Sequence, residues 1–459
     1  MTPGFRSSIF HRRNALAAGL LIWVAPWLFT LAAAELSPAD RPDLHPHAKA
    51  YLFMPAQPGG GLPRLLSQTG AFKDTVRLTP ADGLMAYDLI VPFWSDGATK
   101  TRWISVPDNQ KIKFAPTGEW VFPPGTVFVK TFELATNELV PDSLRRLETR
   151  LLVCDAAGGV YGVTYKWRAD NSDADLLASN LTEAIPIQTA AGMRTQSWYY
   201  PSRQDCLACH TANAGYVLGV KTRQLNRDFA YPSGVTDNEL RVWNHLGLFD
   251  TNLDGTDMTT LPQLARLDDP ARSLEDRARS YLDANCAQCH RPHGTVAYFD
   301  ARYDTPLAKQ NLINGPVLID ERIDHPRIIA PNDIWRSLLF MRTDTTEPFK
   351  MPPLARNTID EPGMKLLRQW IESLPGPPVL PPPSMAPHGG RYEQPVEVTL
   401  KSEPDATIRY TVDGTVPTTS DLLYEKPIRL TGPTILRATA FRPGFTKSIT
   451  TQEIFLVGG

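Results

Sequence analysis

The chain has 459 residues, with 47 Lys and Arg against 49 Asp and Glu, a formal net charge of −2 and 42% hydrophobic residues. A length of this order suggests two to four domains. The balanced charge, with no clustered run of Lys and Arg, gives no support to nucleic acid or an anionic membrane surface as a partner.

The N-terminus reads as a secretory signal peptide over residues 1–34. Arg6, Arg12 and Arg13 form a basic start, residues 15–31 are apolar, and Ala32-Ala33-Ala34 offers small residues for cleavage. An uncleaved anchor is the alternative, but the apolar run is short for a span and contains Pro26. Arg12-Arg13 is followed by Asn-Ala-Leu, a weak match to a twin-arginine signal. No second apolar run of spanning length follows. A periplasmic or secreted location is expected, with no membrane span after cleavage.

Residues 35–200 read as a β-rich domain of β-sandwich type. Strand candidates are Tyr87–Val91, Thr126–Phe132 and Leu147–Cys154, and Tyr161, Val163, Tyr165 and Trp167 alternate with smaller or polar residues. Phe122-Pro123-Pro124-Gly125 reads as a turn between strands. Cys154, the fifth cysteine, is expected to be a buried, inert thiol. Trp94, Asp96, Lys100, Arg102 and Trp120 either line a site or are ordinary core and surface residues.

The other four cysteines form two Cys-x-x-Cys-His motifs, Cys206-Leu207-Ala208-Cys209-His210 and Cys286-Ala287-Gln288-Cys289-His290. This spacing is the attachment signature of c-type haem. Two thiols three positions apart reach both vinyl groups of one porphyrin, and the next residue places an imidazole under the ring as an iron ligand. A thioredoxin-like dithiol and a four-cysteine zinc site are the alternatives. A histidine after both pairs, and the long stretch between them, favour two covalently bound haem c groups. The first haem segment is placed at 201–272 and the second at 273–374.

The second segment carries a fuller pattern. Ser273 is a candidate helix cap followed by Glu275 and Asp276, and the helix delivers the chain to Cys286. Met351-Pro352-Pro353 lies on a later loop, and Asp360–Ile371 reads as a closing amphipathic helix. Helix, motif, loop-borne methionine and closing helix resemble a class I cytochrome c. The stretches Ile328–Leu339 and Lys350–Leu354 resemble the bacterial cytochrome c pattern that brings a distal methionine to iron. That resemblance implies His290 as proximal ligand and Met351 as distal ligand, with a raised reduction potential. For the first haem the leading sixth-ligand candidate is His245, on the helix Glu239–Leu246, with Met258 and Met193 as alternatives. An open, five-coordinate iron is the remaining option.

Trp94-Ser95-Asp96-Gly97-Ala98, the stretch from Pro201 to Arg227 and Ala284–Pro292 together resemble a family of secreted dihaem c-type proteins of uncertain role, over roughly residues 60–374. Residues 375–384 follow as a proline-rich linker. Residues 385–459 read as short strands with a hairpin signal at Asp413-Gly414, an Ig-like β-sandwich. Tyr410–Thr418, Tyr424–Ile428 and Ala438-Thr439-Ala440 resemble the C-terminal domain of chitobiase and β-hexosaminidase, an accessory module that implies no glycosidase activity.

The expected architecture is therefore a multidomain α and β protein. It has a β-sandwich-like N-terminal domain, an α-helical cytochrome c-like dihaem region and an Ig-like C-terminal sandwich. The expected role is electron transfer between redox protein partners, with no catalytic residues assigned. A peroxidase-like dihaem oxidoreductase with an open first haem is the alternative. A third option is a haem-bearing surface module that docks on cell-wall glycan or surface protein through its tail.

Overall fold

Strands of alternating character dominate the first half of the molecule. The computed structural model describes residues 48–458 apart from 141, 297, 322 and 355, so the expected signal peptide lies outside the described residues. A small hairpin, β1 (Phe72–Asp74) and β2 (Thr79–Pro80), precedes an antiparallel sheet of six strands in chain order. These are β3 (Met85–Tyr87), β4 (Thr99–Ser105), β5 (Val127–Ala135), β6 (Leu144–Cys154), β7 (Val160–Trp167) and β8 (Ala174–Leu176).

Successive side chains of a strand point to opposite faces. On one face Trp103, Val129, Leu151 and Val163 stand in register across β4 to β7 and join Leu66 and Phe72 in a buried core. The opposite face is divided. At one end Ile104 and Phe128 enter a second core with Trp120, Trp243 and Phe249. At the other end Phe132 and Leu134 meet Ile185, Ile187, Trp198 and Tyr200 of the hairpin β9 (Leu181–Thr189) and β10 (Gly192–Tyr200), which gives a sandwich-like layering. Between the two apolar ends runs a polar belt of Arg102, Lys130, Arg150 and Thr164, directly paired across four strands.

Beyond β10 come α1 (Arg203–Leu207), which packs on β7, then α2 (Thr222–Leu225) and the hairpin β11 (Asp228–Ala230) and β12 (Thr236–Asn238). Next are α3 (Glu239–His245), α4 (Leu274–Asn285), α5 (Leu338–Thr343) and α6 (Glu361–Ser373). The α-helical cytochrome c-like region expected here is corrected by the structure. The molecule is mostly β, and its described helices between 201 and 374 are short, the longest having 13 residues. The reason is visible in the chain. Pro292, Pro306, Pro316, Pro326 and Pro331 interrupt any helix between α4 and α5, and Asn311, Asn314 and Asn332 adopt left-handed backbone. Within this region α4 and α6 do pack together, capped by Ser273 and Asp360. Gly363 allows the close crossing: a Cβ there would fall 2.6 Å from the Tyr281 ring.

The C-terminal strands are β13 (Ser384–Ala386), β14 (Gly390–Tyr392), β15 (Val396–Lys401), β16 (Thr407–Thr411), β17 (Leu422–Leu423), β18 (Ile428–Leu430), β19 (Thr434–Phe441) and β20 (Thr451–Val457). They form a three-stranded sheet, β13-β15-β18, and a five-stranded sheet, β14-β20-β19-β16-β17. Val398, Leu400, Leu436 and Phe455 fill the space between them, an Ig-like sandwich. The proline-rich segment is bound to it, with Thr446 N–H donating to Pro378 O at 2.8 Å and Leu380 N–H to Thr446 O at 3.1 Å. The described residues, 48–458, fall within one compact unit. Among the described residues no helix is long and apolar enough to cross a membrane.

Candidate functional site

The two Cys-x-x-Cys-His motifs fold into the same turn at the end of a Ser-capped helix. Ser202 caps α1 by accepting from Asp205 N–H, and Ser273 caps α4 by accepting from Asp276 N–H. The chain then winds once more. His210 N–H donates to Cys206 O at 3.0 Å, and His290 N–H to Cys286 O at 2.9 Å. Cys209 and Cys289 close on the same carbonyls at 3.3 and 3.1 Å. Each motif therefore presents two thiols and an imidazole from one turn.

The structure places these turns side by side. Arg291, buried directly after the second motif, donates through Nη1 to Asn213 O at 3.0 Å and through Nη2 to Glu119 at 2.8 Å. Asn213 Nδ2 returns a bond to Pro292 O at 3.1 Å. Beneath them Asp283 of α4 pairs with Lys221 at 3.0 Å and Arg223 at 3.2 Å, and Lys221 also reaches Glu119 at 3.5 Å. The thiols of Cys209 and Cys289 are themselves hydrogen-bond partners. Donation from Cys209 holds Cys289 down to about 7, while the Cys209 thiol is pushed up by the same contact and by burial.

The first motif lies over the polar belt of the six-stranded sheet. Cys206 packs on Gly162 of β7, where a Cβ would meet its Sγ at 2.7 Å. His210 Nδ1 lies 2.6 Å from Tyr216 O, which makes Nδ1–H the donor and leaves Nε2 with its lone pair outward. Burial, with the charges of Lys130 and Arg150 added, holds this imidazole down to about 4, against the pull of the Tyr216 bond, so it is neutral at physiological pH. A metal-binding imidazole needs that tautomer and charge state.

The sixth-ligand candidates fall elsewhere. His245 ends α3 with its side chain exposed, and its described contacts do not reach the first motif. Met193 is exposed on β10, and Met258 is buried in the aromatic core around Trp243.

At the second motif the His290 ring stacks on Phe299, with centroids 4.2 Å apart and planes 17° from parallel. Burial and the nearby Arg342 hold it down to about 4. Its Nδ1 is buried with no hydrogen-bond partner. Arg342 also ties down the loop bearing Met351: Met351 N–H donates to Arg342 O at 2.7 Å, and Arg342 Nε to Phe349 O at 2.7 Å. Arg342 thus links Met351 and His290, bonded to the Met351 backbone and acting electrostatically on His290.

Trp94 and Asp96 brace this second site. Trp94 N–H donates to Asn285 Oδ1 at 2.8 Å, and the Asp96 carboxylate accepts from Asn357 N–H at 2.6 Å and Thr358 N–H at 2.9 Å. Trp120 is a core residue whose Nε1 bonds Ala115 O and Thr222 Oγ1. Cys154 is buried, and burial pushes its thiol up to about 12, consistent with an inert role. Sequence reading missed Arg291, Asp283 and Lys130. The signal for Arg291 was its place directly after the motif. Lys130 gives a signal only once strand register sets it between two arginines.

The residues fit c-type haem on their own chemistry. Each turn offers two thiols and a neutral imidazole, and porphyrin brings its own four nitrogen ligands. Among the described residues no three His, Cys, Asp or Glu side chains gather as a ligand set, the arrangement a protein-built zinc site requires.

Residues 387–452 match the chitobiase/beta-hexosaminidase C-terminal domain family, in agreement with the sandwich formed by β13 to β20. No curated protein matches the chain.

Proposed function

We propose that this chain is an exported dihaem c-type protein that carries electrons between redox partners. Cys206 and Cys209 would hold one haem c and Cys286 and Cys289 the other, with His210 and His290 as axial ligands. The observation that carries this reading is the pairing of two like-folded Cys-x-x-Cys-His turns, locked together by Arg291, Asn213 and Glu119. Each haem supplies a one-electron iron couple when bound.

The protein's own part is to orient and to shield. Tyr216 O fixes the His210 tautomer, and Phe299 clamps the His290 ring. Met351, held by Arg342, is the distal ligand proposed for the second iron, and its thioether would favour Fe(II). The Cys209–Cys289 contact would bring the attachment points of the two haems close together, which favours electron exchange between them.

The tail favours a second, compatible role in docking. Its family match is to an accessory domain, and its five-stranded sheet exposes Ile435 beside Ile454. Attachment to a polysaccharide or a surface protein is the proposed use.

The test is stepwise reduction of the exported, purified protein. Two haem absorbances titrating with mutual influence on their midpoints support the carrier. Independent, unlinked titrations count against two adjoining centres, and rapid peroxide turnover would favour the oxidoreductase reading instead.

A further inference from the structure

The belt on the six-stranded sheet is a conflict that the fold does not need. Arg102, Lys130 and Arg150 stand directly opposite one another on β4, β5 and β6. Like charges paired across strands destabilise a sheet. Two of the three are compensated. Arg102 pairs with Asp88, and Arg150 grips Glu148 through two bonds of 2.9 and 2.5 Å. Lys100, nearby on β4, donates its Nζ to Phe93 O at 2.5 Å.

Lys130 has no hydrogen-bond or ion-pair partner among the described residues. Its Nζ stands over the Phe132 ring, 5.7 Å from the ring centroid. On this same face Cys206 sits on Gly162, two residues along β7 from Thr164, which faces Arg150. The Lys130 charge is felt at both Cys206 and His210. An unengaged amine therefore stands beside the first motif, where His245, Met193 and Met258 do not.

Resting on the dihaem reading, we propose that Lys130 supplies the sixth ligand of the iron held by His210. An amine binds iron only through its free lone pair, so its third proton must leave to solvent. The surroundings favour that loss: burial first, then the charges of Arg102 and Arg150, bring Lys130 down to about 7. An arginine could not serve, since it stays protonated. A lysine meant to hold a haem carboxylate would instead need its charge.

The test is electron paramagnetic resonance with near-infrared magnetic circular dichroism on the oxidised full-length holoprotein, wild type and Lys130→Ala, with covalent haem quantified in each. The expected wild type has two low-spin irons, one with the signature of histidine–amine ligation. In Lys130→Ala both haems remain attached, the amine signature is lost and one iron turns high-spin. An unchanged low-spin spectrum in Lys130→Ala with both haems attached would overturn the proposal. Lys130→Arg keeps the charge and covers the case of poor folding. It should also lose the amine signature, and retention of the wild-type spectrum would show a carboxylate role and overturn the ligand. A wild type that carries no covalent haem would sink the dihaem reading itself, which the haem assay reports separately.

Discussion

At the scale of single residues, the most exposed dependence is that of the first motif on Gly162. Its missing side chain makes room for Cys206. Gly162→Val is expected to abolish haem attachment at the first motif while sparing the second, halving covalent haem per chain by absorbance after denaturation. Retention of full haem content would show that Cys206 does not need this seat. Glu239 gives a second test. It is fully buried at the start of α3, its Oε1 accepts from Asp88 N–H at 2.9 Å, and its Oε2 has no partner. Burial pushes it up to about 8. A carboxyl with a raised folded value binds its proton more tightly folded than unfolded. Its stabilisation is therefore complete below the ordinary Glu range and is lost as pH rises through about 8. Glu239→Gln should flatten this loss, worth on the order of a few kcal/mol, in denaturant melts from pH 5 to pH 9. An unchanged slope would assign the pH dependence to other groups.

At the scale of elements, what was legible depended on whether the determinant was local. The Ser273 cap and the amphipathic face of α6 are written in adjacent residues, and both are found in place. The strand expected over Tyr87–Val91 ends at Tyr87, because the chain turns there to reach Gln224, whose Oε1 accepts from Val91 N–H. The region between residues 201 and 374 is not α-helical overall, because the two helices expected around the second motif are found but the long proline-punctured stretch between them folds as loop and short turns. Lys130 was invisible for a different reason: its meaning comes from register across β4, β5 and β6, which spacing along one strand does not reveal. The α4–α6 crossing permits a direct test. Gly363→Ala places a methyl against Tyr281 and should cost about 1–3 kcal/mol by overpacking. Thermal melts of the holoprotein read this, and an unshifted midpoint would mean the crossing is looser than it looks.

At the scale of the whole molecule, the charges that join the segments are the distinctive feature. Glu119 comes from the β-rich region, Lys221 and Arg223 from beyond the first motif, and Asp283 from the helix before the second. Asp283 is almost fully buried, yet Lys221 and Arg223 hold its carboxyl below the ordinary range despite a burial effect that acts the other way. Removing one partner of a buried network strands the rest. Asp283→Ala is therefore expected to cost about 3–5 kcal/mol and to loosen the register of the two motifs. The large β region supplies the sheet face against which the first turn packs and Glu119, which pairs with Arg291 after the second. The tail contributes its own core and the chitobiase-type match, and the docking role proposed for it is testable by deletion after residue 374.

The most direct measurement is covalent haem per chain, by pyridine haemochrome absorbance together with intact mass, on protein exported by a host that attaches haem c. Two haems are expected, falling to one when Cys206 and Cys209 are both changed to Ala and to one when Cys286 and Cys289 are. A chain exported and folded with four unmodified thiols, or with a disulfide between Cys209 and Cys289, would contradict the dihaem assignment.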